Sequence, residues 1–145
     1  MSEATLPLIS CNAEDFGQRF VASLQTFGFA ALADHPLSSV TISRIYRDWR
    51  RFFDSGEVDQ FRMNPQRQDG YFSLTAAEHA KGFEQRDHKE YFQYYPWGQC
   101  PPALRDDLAN YYREAVAFAG RLLSFVDAFA PTEVRSQFSA PLASM

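Results

Sequence analysis

The chain has 145 residues, 46% of them hydrophobic and 22% charged, with a net charge of −4 and a pI near 5.3. That length suits one domain able to bury roughly 68–70% of its unfolded surface, and the acidic balance argues against nucleic-acid or anionic-membrane binding, both of which need a basic surplus. Fourteen phenylalanines, within an aromatic content of 16%, imply a Phe-dominated core or an apolar docking face.

Cys11 and Cys100 set neither a disulfide framework nor metal-ligand spacing, and read as free cytosolic thiols. The opening MSEATLPLIS lacks the basic and apolar regions of a signal peptide. No apolar run reaches the roughly 18 residues of a membrane span. A soluble, cytoplasmic chain is the expectation.

Leu6 to Ser10 (LPLIS) reads as a short edge strand, where Pro7 is tolerated because an edge need not donate every N–H. Asn12 offers a helix N-cap, with Asp15 standing where a capping box places Glu. Phe16, Phe20, Leu24 and Phe27 then recur on one helical face. Gly28 suits the C-cap, where positive φ is wanted. Phe29 to Ala33 is an apolar run of strand length, and Pro36 breaks it while biasing His35 toward an extended backbone. Ser38 or Ser39 can cap a second helix whose apolar face is Ile42, Ile45, Tyr46, Trp49, Phe52 and Phe53. Arg44, Arg47, Asp48, Arg50 and Arg51 form its solvated side, and Ser55-Gly56 ends it, with a further turn available over Glu57 to Met63.

Asn64 to Gly70 is a polar loop closed by the turn dipeptide Asp69-Gly70, and Tyr71 to Leu74 looks extended. Thr75 to Phe83 is ambiguous, with Thr75 placed to cap a short helix. The aromatic stretch His88 to Pro96 reads as a strand. After the connector Trp97 to Pro101, Pro102 can occupy the first turn of a long helix whose apolar residues run from Leu104 to Phe129. About twenty-five helical residues would span about 38 Å, a brace that wants a large body to lie against. Pro131 stops it, and Thr132 can cap a last short turn before Pro141.

The residues offer little complete chemistry. His88-Lys89-Glu90 matches H-x-E, half of a two-His, one-carboxylate iron site, but no histidine follows it, and His35 and His79 carry no mark of ligands. His35 fits better as a histidine bonding a carbonyl in the following turn. Phosphate loops, dinucleotide fingerprints and nucleophile elbows are absent. No catalytic residue and no metal ligand is expected within the chain.

In their order, LPLIS, the Phe27-Gly28-Phe29 strand, Asp34-His35-Pro36-Leu37, the helix ending Arg51-Phe52-Phe53, Asp69-Gly70-Tyr71-Phe72, His88-Lys89-Glu90-Tyr91-Phe92 and the helix from Pro102 resemble the N-terminal region of the isopenicillin N synthase-like Fe(II)/2-oxoglutarate-dependent dioxygenases. The match runs from about Leu6 to Leu142. The resemblance implies an α+β fold of three main helices and a few short strands with a long C-terminal brace, residues 1–145 forming one domain. It implies that the iron ligands (H-x-D and a distal His) and the R-x-S that grips 2-oxoglutarate lie on a double-stranded β-helix past Met145. Fe(II) and 2-oxoglutarate are therefore expected of a longer parent, with this part an inactive scaffold and substrate gate. The partners it implies are the missing barrel, or self-association through an apolar face, and a small-molecule substrate. By the same resemblance the GY segment nominates Arg67, Gln68, Tyr71 and Phe72 as substrate contacts, Arg67 through its planar fork. The alternative is a free-standing, non-catalytic interaction module.

Overall fold

The computed structural model describes residues 5–74, 89–129 and 131. They run as β1 (Leu8–Ser10), α1 (Phe16–Phe27), β2 (Ala31–Ala33), α2 (Ser39–Asp54), a 3-10 turn (Glu57–Phe61), β3 (Gly70–Phe72), β4 (Tyr91–Gln93) and α3 (Pro102–Phe129). This is the α+β arrangement of three helices and short strands that the sequence implies. The expectations for Thr75 to Phe83, His79, His88 and the turn after Thr132 lie outside the described residues. The chain forms two compact units, Met1–Ser38 with Tyr112–Met145, and Ser39–Tyr111.

In the first unit β1 and β2 pair in parallel, Leu8 opposite Ala31 and Ser10 opposite Ala33. Their crossover is α1, whose buried face carries Phe16, Phe20 and Val21 against Ile9 and Cys11. Phe118, Leu122, Phe125 and Val126 of α3 pack on the same cluster, Phe125 meeting the Phe16 ring edge-on at 5.4 Å. Gly17 makes that approach possible, because a Cβ there would run into the rings of Phe125 and Phe129. Gly28 caps α1 at φ 80°, its N–H donating to the Leu24 carbonyl at 2.9 Å.

Three local expectations are corrected here. Asn12 does not cap α1: turns take up the chain first, with the Ala13 N–H on the Ser10 carbonyl and the Phe16 N–H on that of Ala13. Asp15 holds the cap position without a side-chain hydrogen bond. Phe29 is not strand, since β2 is held only as far as its three-residue partner reaches, and the Phe29 side chain is 59% exposed. His35 is exposed and makes no hydrogen bond to a turn carbonyl among the described residues. The turn is tied by its neighbour Asp34, which sits at φ 56° and accepts a hydrogen bond from the Ser10 hydroxyl at 2.6 Å.

The second unit is built on aromatic rings. Phe52, Val58 and Tyr71 are its buried centre, with Trp49, Phe53, Phe61 and Phe92 around them. β3 and β4 pair antiparallel, Tyr71 opposite Phe92 and Phe72 opposite Tyr91, so alternation sends Tyr71 and Phe92 to one face and Phe72 and Tyr91 to the other. α2 ends as expected: the Ser55 hydroxyl donates to the Phe52 carbonyl, and Gly56 leaves the helix at φ 73°. Arg44 forks onto Asp107 in α3, at 2.5 and 2.7 Å, so the basic face of α2 is partly ion-paired. Arg47 and Arg51 share Asp48. α3 starts on Pro102, where the missing N–H is no loss. It ends two residues before Pro131.

Candidate functional site

The second unit holds a cleft of about 360 Å³ between α2 and the β4 segment. Ile45, Tyr46, Trp49 and Phe53 line it from α2, because spacings of 3 and 4 keep them on one helical face. Glu90, Tyr91, Phe92 and Tyr94 line it from the β4 segment, and Leu108 of α3 completes the described lining. The Trp49 and Phe92 rings meet at 4.9 Å and an angle of 58°, and Phe92 also packs against Phe52. Tyr46 stands at the rim, 75% exposed.

Glu90 is the one carboxylate among the described lining residues. It is fixed: the buried Tyr71 hydroxyl donates to its Oε2 at 2.5 Å. That hydrogen bond, with burial and the nearby negative charge, pushes the Tyr71 phenol up to about 12. A phenol held protonated in this way positions its neighbour; it does not serve as a base near neutral pH.

The four residues nominated from sequence sit in different surroundings. Arg67 and Gln68 are exposed on the turn before β3. The Asn64 side-chain carbonyl shapes that turn by accepting the N–H groups of Gln66 and Arg67, and Gln68 takes φ 56°. The Arg67 guanidinium lies 3.3 Å from Asp69 Oδ2. Tyr71 and Phe72 are buried, at 8% and 7% exposure, Phe72 stacked on Tyr91 with ring centroids 4.6 Å apart. The structure brings Tyr71 to Glu90 and leaves Arg67 and Gln68 on the surface turn.

Asp69 departs from its expected role in a turn dipeptide. It is fully buried, and its Oδ2 accepts the Gln99 N–H at 2.8 Å. The Gln99 amide donates in return to the carbonyls of Arg62 and Asp69. Asp69 therefore clamps the 62–70 segment to the connector. The sequence gives no sign of a partner 30 positions away, so local turn chemistry claims Asp-Gly first. The turn itself falls earlier, where Gln68 takes the left-handed conformation.

Among the described residues no three of His, Cys, Asp or Glu gather closely enough to hold a metal ion. Nothing described therefore fits the iron that the resemblance implies, and no step of its chemistry can be placed on these side chains. Cys11 and Cys100 are both buried, and burial pushes both thiols up, which disfavours the reactive thiolate. No helix among the described residues is long and apolar enough to cross a membrane.

A family model described as the N-terminal region of non-haem dioxygenase in morphine synthesis matches residues 6–113. A crystal structure of a "putative oxygenase" from Shewanella oneidensis is 35% identical to this chain, with a TM-score of 0.83. That likeness covers 98% of this chain and 49% of the Shewanella one, so the present chain spans about half the length of that relative. No curated protein matches the chain at a significant level.

Proposed function

Because the chain belongs to the non-haem dioxygenase N-terminal family, we propose that it is the scaffold and substrate-flanking part of an Fe(II)- and 2-oxoglutarate-dependent oxygenase, with the reaction centre carried by the other half of a longer protein. The observation that carries this reading is the asymmetry of coverage, 98% of this chain against 49% of the Shewanella oxygenase. The helix α3 also supports it: it repeats apolar side chains along 28 residues yet has none fully buried among those described. A helix of that kind gains most when a further layer covers it.

In this reading the cellular setting is the cytoplasm and the substrate is a small molecule. Arg67 and Gln68 on the exposed turn are the residues that meet it, while Tyr71 and Phe72 hold that turn from the inside. When bound in the parent protein, iron and 2-oxoglutarate would supply oxygen activation; this chain supplies shape and polar contacts. The test is succinate release from 2-oxoglutarate with added Fe(II), by the 145-residue chain and by a longer protein joining it to a catalytic half. Release is expected from the longer protein alone. Iron-dependent turnover by the 145-residue chain would place the reaction centre in it and overturn the assignment.

A further inference from the structure

Tyr71 buttresses a carboxylate at the mouth of an aromatic cleft, an arrangement that neither core packing nor the oxygenase reading requires. Glu90 is exposed, yet its Oε2 is held at 2.5 Å by a buried phenol, so the side chain gives up rotamer freedom that a surface glutamate normally keeps. Around it stand the rings of Tyr46, Trp49, Phe92 and Tyr94. Tyr91 also lines the cleft, with Phe72 stacked on its ring and the Lys89 ammonium 5.8 Å from its centroid.

The charge pattern selects the ligand. Aromatic faces carry negative potential and attract cations, most strongly at tryptophan. An anion would meet the Glu90 carboxylate and these faces together. A neutral apolar molecule would strip water from Glu90 without replacing it. We propose that this cleft is a binding site for a small organic ammonium ion, its charge set against Glu90 and its carbon groups against Trp49 and Phe92. Its volume of about 360 Å³ lies at the small end of ligand pockets, roughly 300–1,000 Å³, which favours a compact amine over a large one. The inference stands apart from the oxygenase reading, because binding is measured on this chain without iron or 2-oxoglutarate.

The experiment titrates benzyltrimethylammonium, neutral benzyl alcohol and anionic benzenesulfonate into the 145-residue chain, with Trp49 fluorescence read in a Trp97→Phe background. Saturable quenching by the ammonium ion is expected, with affinity about tenfold above that of the alcohol, and no binding of the sulfonate. Glu90→Gln keeps an acceptor for the Tyr71 hydroxyl and should lower the ammonium affinity about tenfold while leaving the alcohol unchanged. Tyr46→Ala, at an exposed position, should weaken the ammonium several-fold with an unaltered circular dichroism spectrum. Equal affinity for ammonium and alcohol, an unchanged affinity in Glu90→Gln, or no saturation by the ammonium ion would each overturn the proposal.

Discussion

Tyr71 is the residue whose chemistry departs furthest from its ordinary state. Its phenol is raised from 10.0 to about 12 by the hydrogen bond to Glu90, by burial and by nearby negative charge. Since the folded value exceeds the unfolded one, the bond's contribution is fully present below pH 10 and is lost as pH rises toward 12. The urea midpoint of the native chain should therefore fall more steeply between those pH values than that of Tyr71→Phe, which has no phenol to ionise. Parallel pH profiles for the two proteins would show that the Tyr71–Glu90 bond carries no stability. This pair was hidden in the sequence: Tyr71 reads as one position of an extended GY segment, and Glu90 as part of an incomplete H-x-E. Only the β3–β4 pairing, Tyr71 opposite Phe92, sets them within reach.

At the scale of elements, two helical glycines make the same substitution run in opposite directions. Replacing a helical glycine by alanine ordinarily gains about 1 kcal/mol from backbone entropy. Gly120 of α3 has open space where its Cβ would go, so Gly120→Ala should stabilise by about 0.5–1 kcal/mol. Gly17 of α1 faces the Phe125 and Phe129 rings, so Gly17→Ala should instead destabilise by about 1–3 kcal/mol, overpacking outweighing propensity. Chemical denaturation of the two variants reads the sign directly, and stabilisation by Gly17→Ala would show that α1 and α3 do not pack this closely. The elements themselves were mostly legible. Phe16, Phe20 and Leu24 recur at one helical face, Gly28 permits the left-handed cap, and Pro102 suits a first turn; each acts within four residues of itself. Asn12 misled because a favourable cap residue competes with the turns that the short β1 imposes after Ser10.

The whole molecule is marked by what it leaves uncovered. α3 has no fully buried residue among those described, and Leu8, Val40 and Phe129 are exposed at 67%, 72% and 43%. An apolar helix stripe without a covering layer is where another surface belongs. The isolated chain should therefore self-associate as its concentration rises and bind a hydrophobic dye in its native state, as gel filtration and dye fluorescence would report. Addition of a catalytic half should suppress both. A monodisperse monomer that excludes the dye would favour a free-standing interaction module over part of a larger oxygenase.

The sequence alone determined the helices, the Gly28 cap and the proline breaks, the three-helix α+β class and the family, because periodicity, glycine and proline act locally and a set of weak motifs in fixed order is jointly specific. Tertiary structure decided the rest: the burial of Asp69, the bond from Tyr71 to Glu90, the exposure of His35 and the aromatic cleft. The contacts among these join residues from 19 positions apart (Tyr71 and Glu90) to 63 (Ile45 and Leu108), and no local pattern encodes which side chains a folded backbone will bring together.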